Sequence, residues 1–314
     1  MSDAQRICTD LNRTLIPNGP QPACIFGEVL FDCFPDGREV LGGAPFNVAW
    51  HLQAFGQSPL LISRVGDDDA GQRIRRAMSD WGMDQTGLQD DPQHPTGRVA
   101  VTLESAEPSY DIVSDSAYDF IALDALPSVQ PGLIYYGSLA LRNPTSAAAL
   151  QELRSDSDAL VFVDVNLRDP WWRRDDVLAL LKGAHWVKLN RDELRLLGDA
   201  SGDELDAAER FRATHGLEGL VLTLGADGAV ALATGQEPVR NSPKPIGKVI
   251  DSVGAGDAFA SVLILGLRLG WPLATTAARA QDFASELVQQ RGATVSDLAI
   301  YWSYCQQWGL SRCS

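Results

Sequence analysis

The stretch Asp251-Ser252-Val253-Gly254-Ala255-Gly256-Asp257-Ala258-Phe259 sets small residues and an acid between two apolar runs. Before it, Val249-Ile250 reads as the end of a strand. After it, residues 258–267 are apolar nearly all round, which predicts a buried helix. Glycines let a backbone come close to a ligand, and the free N–H groups of a helix's first turn face an anion. An aspartate in that first turn would repel the anion that the amides attract. The conflict resolves if Asp257 works on a proton beside a phosphate, so the stretch reads as an anion-stabilising turn with its own general base.

The chain has 314 residues, 45% hydrophobic and 21% charged, enough for one large α/β domain or two smaller ones. A net charge of −15 and a pI near 4.6 argue against nucleic acid and anionic membranes as partners. Five widely spaced cysteines without a CxxC pair fit neither a disulfide scaffold nor a zinc site, so a reducing cytoplasm is expected. No apolar run is long enough to span a bilayer, and none resembles a signal peptide.

Residues 1–22, polar and proline-rich, read as a loose extension, leaving 23–314 as one domain. Ala23-Cys24-Ile25-Phe26-Gly27 is a first buried strand, and residues 27–32 carry it onward to Asp32. Gly42-Gly43-Ala44-Pro45-Phe46-Asn47 then opens a helix over 44–54 with proline in its first turn. Asp67, Asp68 and Asp69 cap a charged helix that reaches Trp81. Residues 96–103 alternate in period two and residues 110–113 follow after a Pro-Ser turn, which reads as antiparallel strands exposed on one face. From Leu133 on, apolar strands at 133–136, 159–164, 186–189 and 219–224 alternate with helices. This is the pattern of a mostly parallel central sheet with helices on both faces. Such sheets bind ligands at the carboxyl ends of their strands, where Asp32, Asn166, Arg168, Asn190, Glu193, Thr223, Gly225 and Gly228 fall.

The P-loop and dinucleotide fingerprints are both absent. Residues 251–259 instead closely resemble the DTxGAGD signature of the ribokinase-like (PfkB) carbohydrate kinases, with Ser252 for threonine. Gly42-Gly43-Ala44-Pro45-Phe46-Asn47-Val48-Ala49 is similar to the same family's N-terminal glycine signature, about 200 residues away and in the family's order. The resemblance runs from about residue 24 to about 295. It implies a ribokinase-like fold and ATP-dependent phosphorylation of a sugar hydroxyl, with Asp257 as base and Gly254, Ala255 and Gly256 as the anion hole. Phosphoryl transfer needs alignment and charge neutralisation, which such a turn supplies.

The resemblance also implies that Asn190 and Glu193 belong to an NxxE motif, Glu193 holding Mg²⁺ through water. Thr223, Gly225 and Gly228 match a TxGxxG segment near ATP, and Lys188 is a candidate for phosphate contact. Asp251, with residues 290–296, falls where the family places a monovalent cation such as K⁺. Residues 33–43 and 97–115 fall where the family carries a small antiparallel β lid, which excludes water and pairs two subunits into a homodimer.

For the acceptor, Asp32, Gly42, Gly43 and Asn47 would meet sugar hydroxyls, joined by Asn166 and Arg168 of a fructokinase-like DxNxR segment. The expected substrate is D-fructose, phosphorylated at its terminal hydroxyl. The rival is 2-keto-3-deoxygluconate, whose carboxylate Arg98 or Arg168 could bind. A catalytically idle sugar-binding protein is the alternative from another class, set against by the intact Asp257 and its glycines.

Overall fold

A computed structural model of the chain describes residues 21–104, 107–155, 157–199, 201–243 and 249–310. The expected extension therefore lies outside the described residues except for Gln21 and Pro22. The apolar runs form the large sheet: β1 (Ala23–Phe26), β4 (Leu60–Gly66), β5 (Leu88–Asp91), β8 (Leu133–Tyr136), β9 (Leu160–Asp164), β10 (Trp186–Asn190), β11 (Gly219–Thr223), β12 (Ala229–Ala233) and β13 (Val239–Asn241). Their order across the sheet is β13-β12-β11-β10-β9-β8-β1-β4-β5, and pairing is parallel from β11 to β5. At one edge the β11–β12 and β12–β13 pairings are antiparallel, so β12 alone of these described strands runs against the rest.

A strand covered on both faces needs apolar residues at every position, and alternate residues supply two cores. On one face Ile25, Tyr135, Phe162 and Val221 pack with α1 (Ala44–Ala54), α2 (Asp69–Asp80), α7 (Ala255–Leu269), α8 (Leu273–Leu287) and α9 (Leu298–Trp308). On the other, Phe26, Ile134, Val163 and Leu222 pack with α3 (Pro144–Arg154), α4 (Arg174–Leu180), α5 (Arg191–Leu197) and α6 (Glu204–Thr214). The Asp68 side chain accepts from the Gly71 amide and caps α2, as its sequence predicts.

The second sheet holds β2 (Leu30–Cys33), β3 (Glu39–Gly42), β6 (Gly97–Glu104) and β7 (Glu107–Ile112), in the order β3-β2-β6-β7. Its outer pairings are antiparallel and its central β2–β6 pairing is parallel. No strand is shared with the large sheet.

Two expectations fail locally. Residues 27–32 do not continue the first strand: the chain turns at Gly27, where a Cβ would stand 2.6 Å from Pro45 Cγ, and enters the lid as β2. Val249 and Ile250 are not a strand end. They are 54% and 51% exposed, and the Ile250 and Asp251 amides bond to Val288 O at the end of α8 rather than to a sheet neighbour. Strands β5 and β13 escape the sequence reading because they are short, polar edge strands, and the small apolar β12 (AVALA) between β11 and β13 escapes it too. Among the described residues Cys24 and Cys33 are free, whereas Cys305 is disulfide-bonded, against the reading of unpaired thiols.

Candidate active site

The Asp251–Phe259 stretch folds as a turn into α7. Gly254 is the N-cap at φ 82°, a conformation that favours glycine, and a Cβ there would stand 2.4 Å from Ala293 Cβ. The helix begins at Ala255, so the Gly256 and Asp257 amides have no acceptor one turn back and are free to meet an anion. Asp257 sits in that first turn.

On the other side of the cleft, Gly43 caps α1 at φ 108°, against the backbone of Glu28, where any Cβ would be 2.6 Å from the carbonyl oxygen. Pro45 occupies the first turn, and Asn47 follows on the same helix. Asn47 Nδ2 donates to Asp257 Oδ2 at 2.7 Å, so residues 210 positions apart in sequence join the two motifs. Asn47 Oδ1 is buried without a hydrogen-bond partner among the described residues. It lies near Gly42, whose Cβ would stand 3.8 Å from it and 3.4 Å from Asp32 Oδ2. Asp32, Gly42, Gly43, Asn47 and Asp257 thus form one cluster.

Its electrostatics are those of crowded acids. Burial pushes the Asp257 carboxyl up to about 6; the Asn47 hydrogen bond opposes this, Asp164 adds to it, and Lys188 and Arg168 oppose it. Burial likewise lifts Asp32 to about 6, with Arg168 opposing and Asp251 adding. Glu28, buried with Oε2 unpartnered, is lifted by burial to about 7. Arg168 is exposed and acts on all three acids, yet its guanidinium forms no hydrogen bond or ion pair among the described residues. Asn166, two residues before it, has φ 43° and accepts a bond from Ser138 Oγ through its carbonyl.

Beneath the anion turn, the buried Lys188 ammonium donates to both Asp164 oxygens at 2.9 and 2.7 Å, and Tyr135 donates to Asp164 at 3.2 Å. Lys188 Nζ lies 3.4 Å from where a Gly256 Cβ would be, which sets a positive charge under the turn. Tyr135 and Glu28 are not among the residues singled out from the sequence, and Asp164 enters there only as the first residue of the DxNxR segment, without a role. An acid inside or ending an otherwise apolar run was the available signal.

Farther along the strand ends, Asn190 is the N-cap of α5, accepting from the Glu193 amide at 2.9 Å. Glu193 Oε2 accepts from the Asn190 amide and Oε1 from the Leu167 amide. With both oxygens engaged, Glu193 reaches a cation only through its remaining lone pairs, which suits a water of Mg²⁺–ATP better than direct ligation. Among the described residues no cluster of three His, Cys, Asp or Glu side chains could hold a metal by itself. Thr223 stands beside Asn190 in register, followed by Gly225 and Gly228 at positive φ. The Asp251 carboxylate accepts from Val253 N and Gly292 N, which brings the two segments of the expected monovalent-cation site together.

One expected residue is not brought in. Register pairs Phe31 with Arg98 and Asp32 with Val99, so Arg98 leaves the lid on the face opposite Asp32. There it is bound to Glu39 and Cys33.

A mostly parallel sheet, a separate four-stranded lid, and a glycine turn carrying a lifted carboxyl define a small-molecule phosphotransferase of the carbohydrate-kinase type. The chain belongs to the pfkB family of carbohydrate kinases, whose pattern matches residues 24–299. It is 33% identical over 258 residues to a fructokinase of Escherichia coli, covering 77% of this chain and 83% of that one. It is 30% identical to the aminoimidazole riboside kinase of Salmonella typhimurium strain LT2, covering 77% and 80%. Among solved structures it is similar to a double mutant of Vibrio cholerae O395 fructokinase with fructose, ADP and potassium ion bound. That likeness has TM-score 0.76 and 26% identity, and covers 90% of this chain and 98% of that one.

Proposed function

We propose that the protein transfers the γ-phosphoryl group of ATP to the terminal hydroxyl of D-fructose. The observation that carries this reading is the Asn47–Asp257 hydrogen bond, which sets the acceptor ligands and the base on one cleft. Asn47 holds one Asp257 oxygen and leaves the other to take the hydroxyl proton as the O–P bond forms. Such a base contributes about 10²–10⁴-fold. The turn at Gly254–Gly256 receives the transferring phosphoryl through the free Gly256 and Asp257 amides, the Ala255 amide being bonded to Ser252 O, with Lys188 adding positive charge from below. Asp32, Gly42, Gly43, Asn47, Asn166 and Arg168 bind the sugar, while Asn190, Thr223, Gly225 and Gly228 line the ATP side. Glu193, through a water, would help hold Mg²⁺, which would supply charge neutralisation at the phosphates, and Asp251 would help hold K⁺ beside the anion turn. A cytoplasmic homodimer paired through the lids completes the proposal.

One observation favours a second reading. Among the described residues the Arg168 guanidinium has no counter-ion in contact, as a residue awaiting the carboxylate of 2-keto-3-deoxygluconate would not. A steady-state panel with ATP, Mg²⁺ and fructose, ribose, aminoimidazole riboside or 2-keto-3-deoxygluconate tests both. Fructose is expected to give the highest kcat/KM. Negligible fructose turnover beside rapid phosphorylation of another acceptor overturns the assignment.

A further inference from the structure

We propose that Trp50, His51 and Tyr301 are positioning residues for phosphoryl transfer, holding residues 291–295 as the wall that sets the Gly254–Gly256 turn. The inference rests on reading that turn as the anion hole.

Trp50 and His51 follow Asn47 on α1 by about one turn and are buried. Trp50 Nε1 donates to Val295 O at 2.9 Å, and the Tyr301 hydroxyl, from α9, donates to the same carbonyl at 3.2 Å. His51 Nδ1 lies 2.8 Å from the Tyr301 oxygen. Burial drives the imidazole down to about 3, so it stays neutral. Trp50 is itself fixed: its ring stacks on Trp81 at 4.3 Å, and Trp81 Nε1 donates to the Trp50 carbonyl at 3.0 Å.

The segment so anchored touches Asp251, the anion turn and the lid. Gly292 N donates to Asp251 Oδ2 at 3.1 Å. Ala293 packs so tightly on Gly254 that only a glycine fits there. Thr294 Oγ1 donates to Leu41 O in the lid at 3.5 Å. The helix that presents Asn47 to the base therefore also fixes, through Val295 and Ala293, the backbone that receives the phosphoryl group.

Packing alone would not need these polar atoms, because an apolar contact can slide without leaving a buried group unpaired. A buried carbonyl that accepts from two side chains is fixed much more narrowly. Donors to a developing anion act at about 2.7–3.1 Å, so a small shift of the wall is felt in the transition state.

The test is steady-state kinetics of Tyr301→Phe and Trp50→Phe with ATP and fructose, beside thermal melts. Leu150→Val, a core lesion on the other face of the sheet, is the control for lost stability. Each aromatic variant is expected to lose about tenfold in kcat with the fructose KM within about twofold, since the acceptor ligands are untouched. Leu150→Val is expected to lose Tm and keep kcat. Wild-type kcat in both aromatic variants overturns the inference, as does a fall in kcat that Leu150→Val matches at equal Tm. If the wild-type protein does not phosphorylate fructose, the substrate reading fails separately. The same comparison is then made on the acceptor the panel identifies, or on basal ATP hydrolysis if it identifies none.

Discussion

Replacing Asp257 by asparagine should abolish turnover and make the protein more stable. The carboxyl has an ordinary value of 3.8 and is raised to about 6 chiefly by burial. An acid raised in the folded state ionises first in the unfolded one. Its penalty therefore grows as pH rises from about 4 to 6 and is constant above that. At 1.36 kcal/mol per pH unit, the shift corresponds to about 3 kcal/mol at pH 8 and nearly none at pH 4. The amide oxygen of the introduced asparagine would still accept the Asn47 hydrogen bond, so the substitution removes charge and little else. With roughly 2 °C per kcal/mol for a chain of this size, Tm should rise by about 6 °C at pH 8 and by only about 2 °C at pH 4.5. Turnover should fall by about 10²–10⁴-fold. Differential scanning calorimetry across this pH range and a coupled assay for ADP release measure both. A variant with near wild-type turnover refutes the base assignment, and an unchanged or lower Tm at pH 8 refutes the electrostatic argument.

Other outcomes follow from the same cleft. In Asn47→Asp two carboxylates meet where a 2.7 Å bond stood. They would share one proton, so the acid limb of kcat/KM should move from about 6 to above neutrality in a pH profile. Arg168→Ala should raise the acceptor KM about tenfold or more, whereas Arg98→Ala, bound to Glu39 on the far face of the lid, should leave it within about twofold. Gly254→Ala would force its Cβ against Ala293 at φ 82°. Turnover should fall more than tenfold and Tm should drop, read by the same assay and melts.

Much of this arrangement was legible because local rules and burial agree. The apolar runs at 133–136 and 159–164 had to be covered on both faces, and the small residues at 254–256 before residues 258–267 had to turn into a buried helix. Asn47 and Asp257 could be expected to meet only through the family resemblance, since neither spacing nor periodicity links residues so far apart. Arg98 shows where that resource ends. Its direction depends on the parallel pairing of β2 with β6, and a shift of one residue in register would have turned it into the cleft. Glu193 was readable in another way: an asparagine three residues before a glutamate at a helix start is a capping pair, and the structure gives both residues that role. Glu28 was hidden because burial of a carboxyl is a property of its neighbours, and here they include Gly43, which closes over its backbone.

The bond between Asn47 and Asp257 also has a history in time. It spans 210 positions, and a ribosome adds about 5–20 residues per second, so α1 emerges roughly 10–40 s before its partner acid. During that interval the face of α1 that packs on α7 in the finished fold lacks that covering helix. A stalled or clipped nascent chain therefore offers an apolar helix face to chaperones and no chemistry to its substrates. Catalytic competence arrives abruptly, once α7 docks, and a partly made molecule has no means of spending ATP.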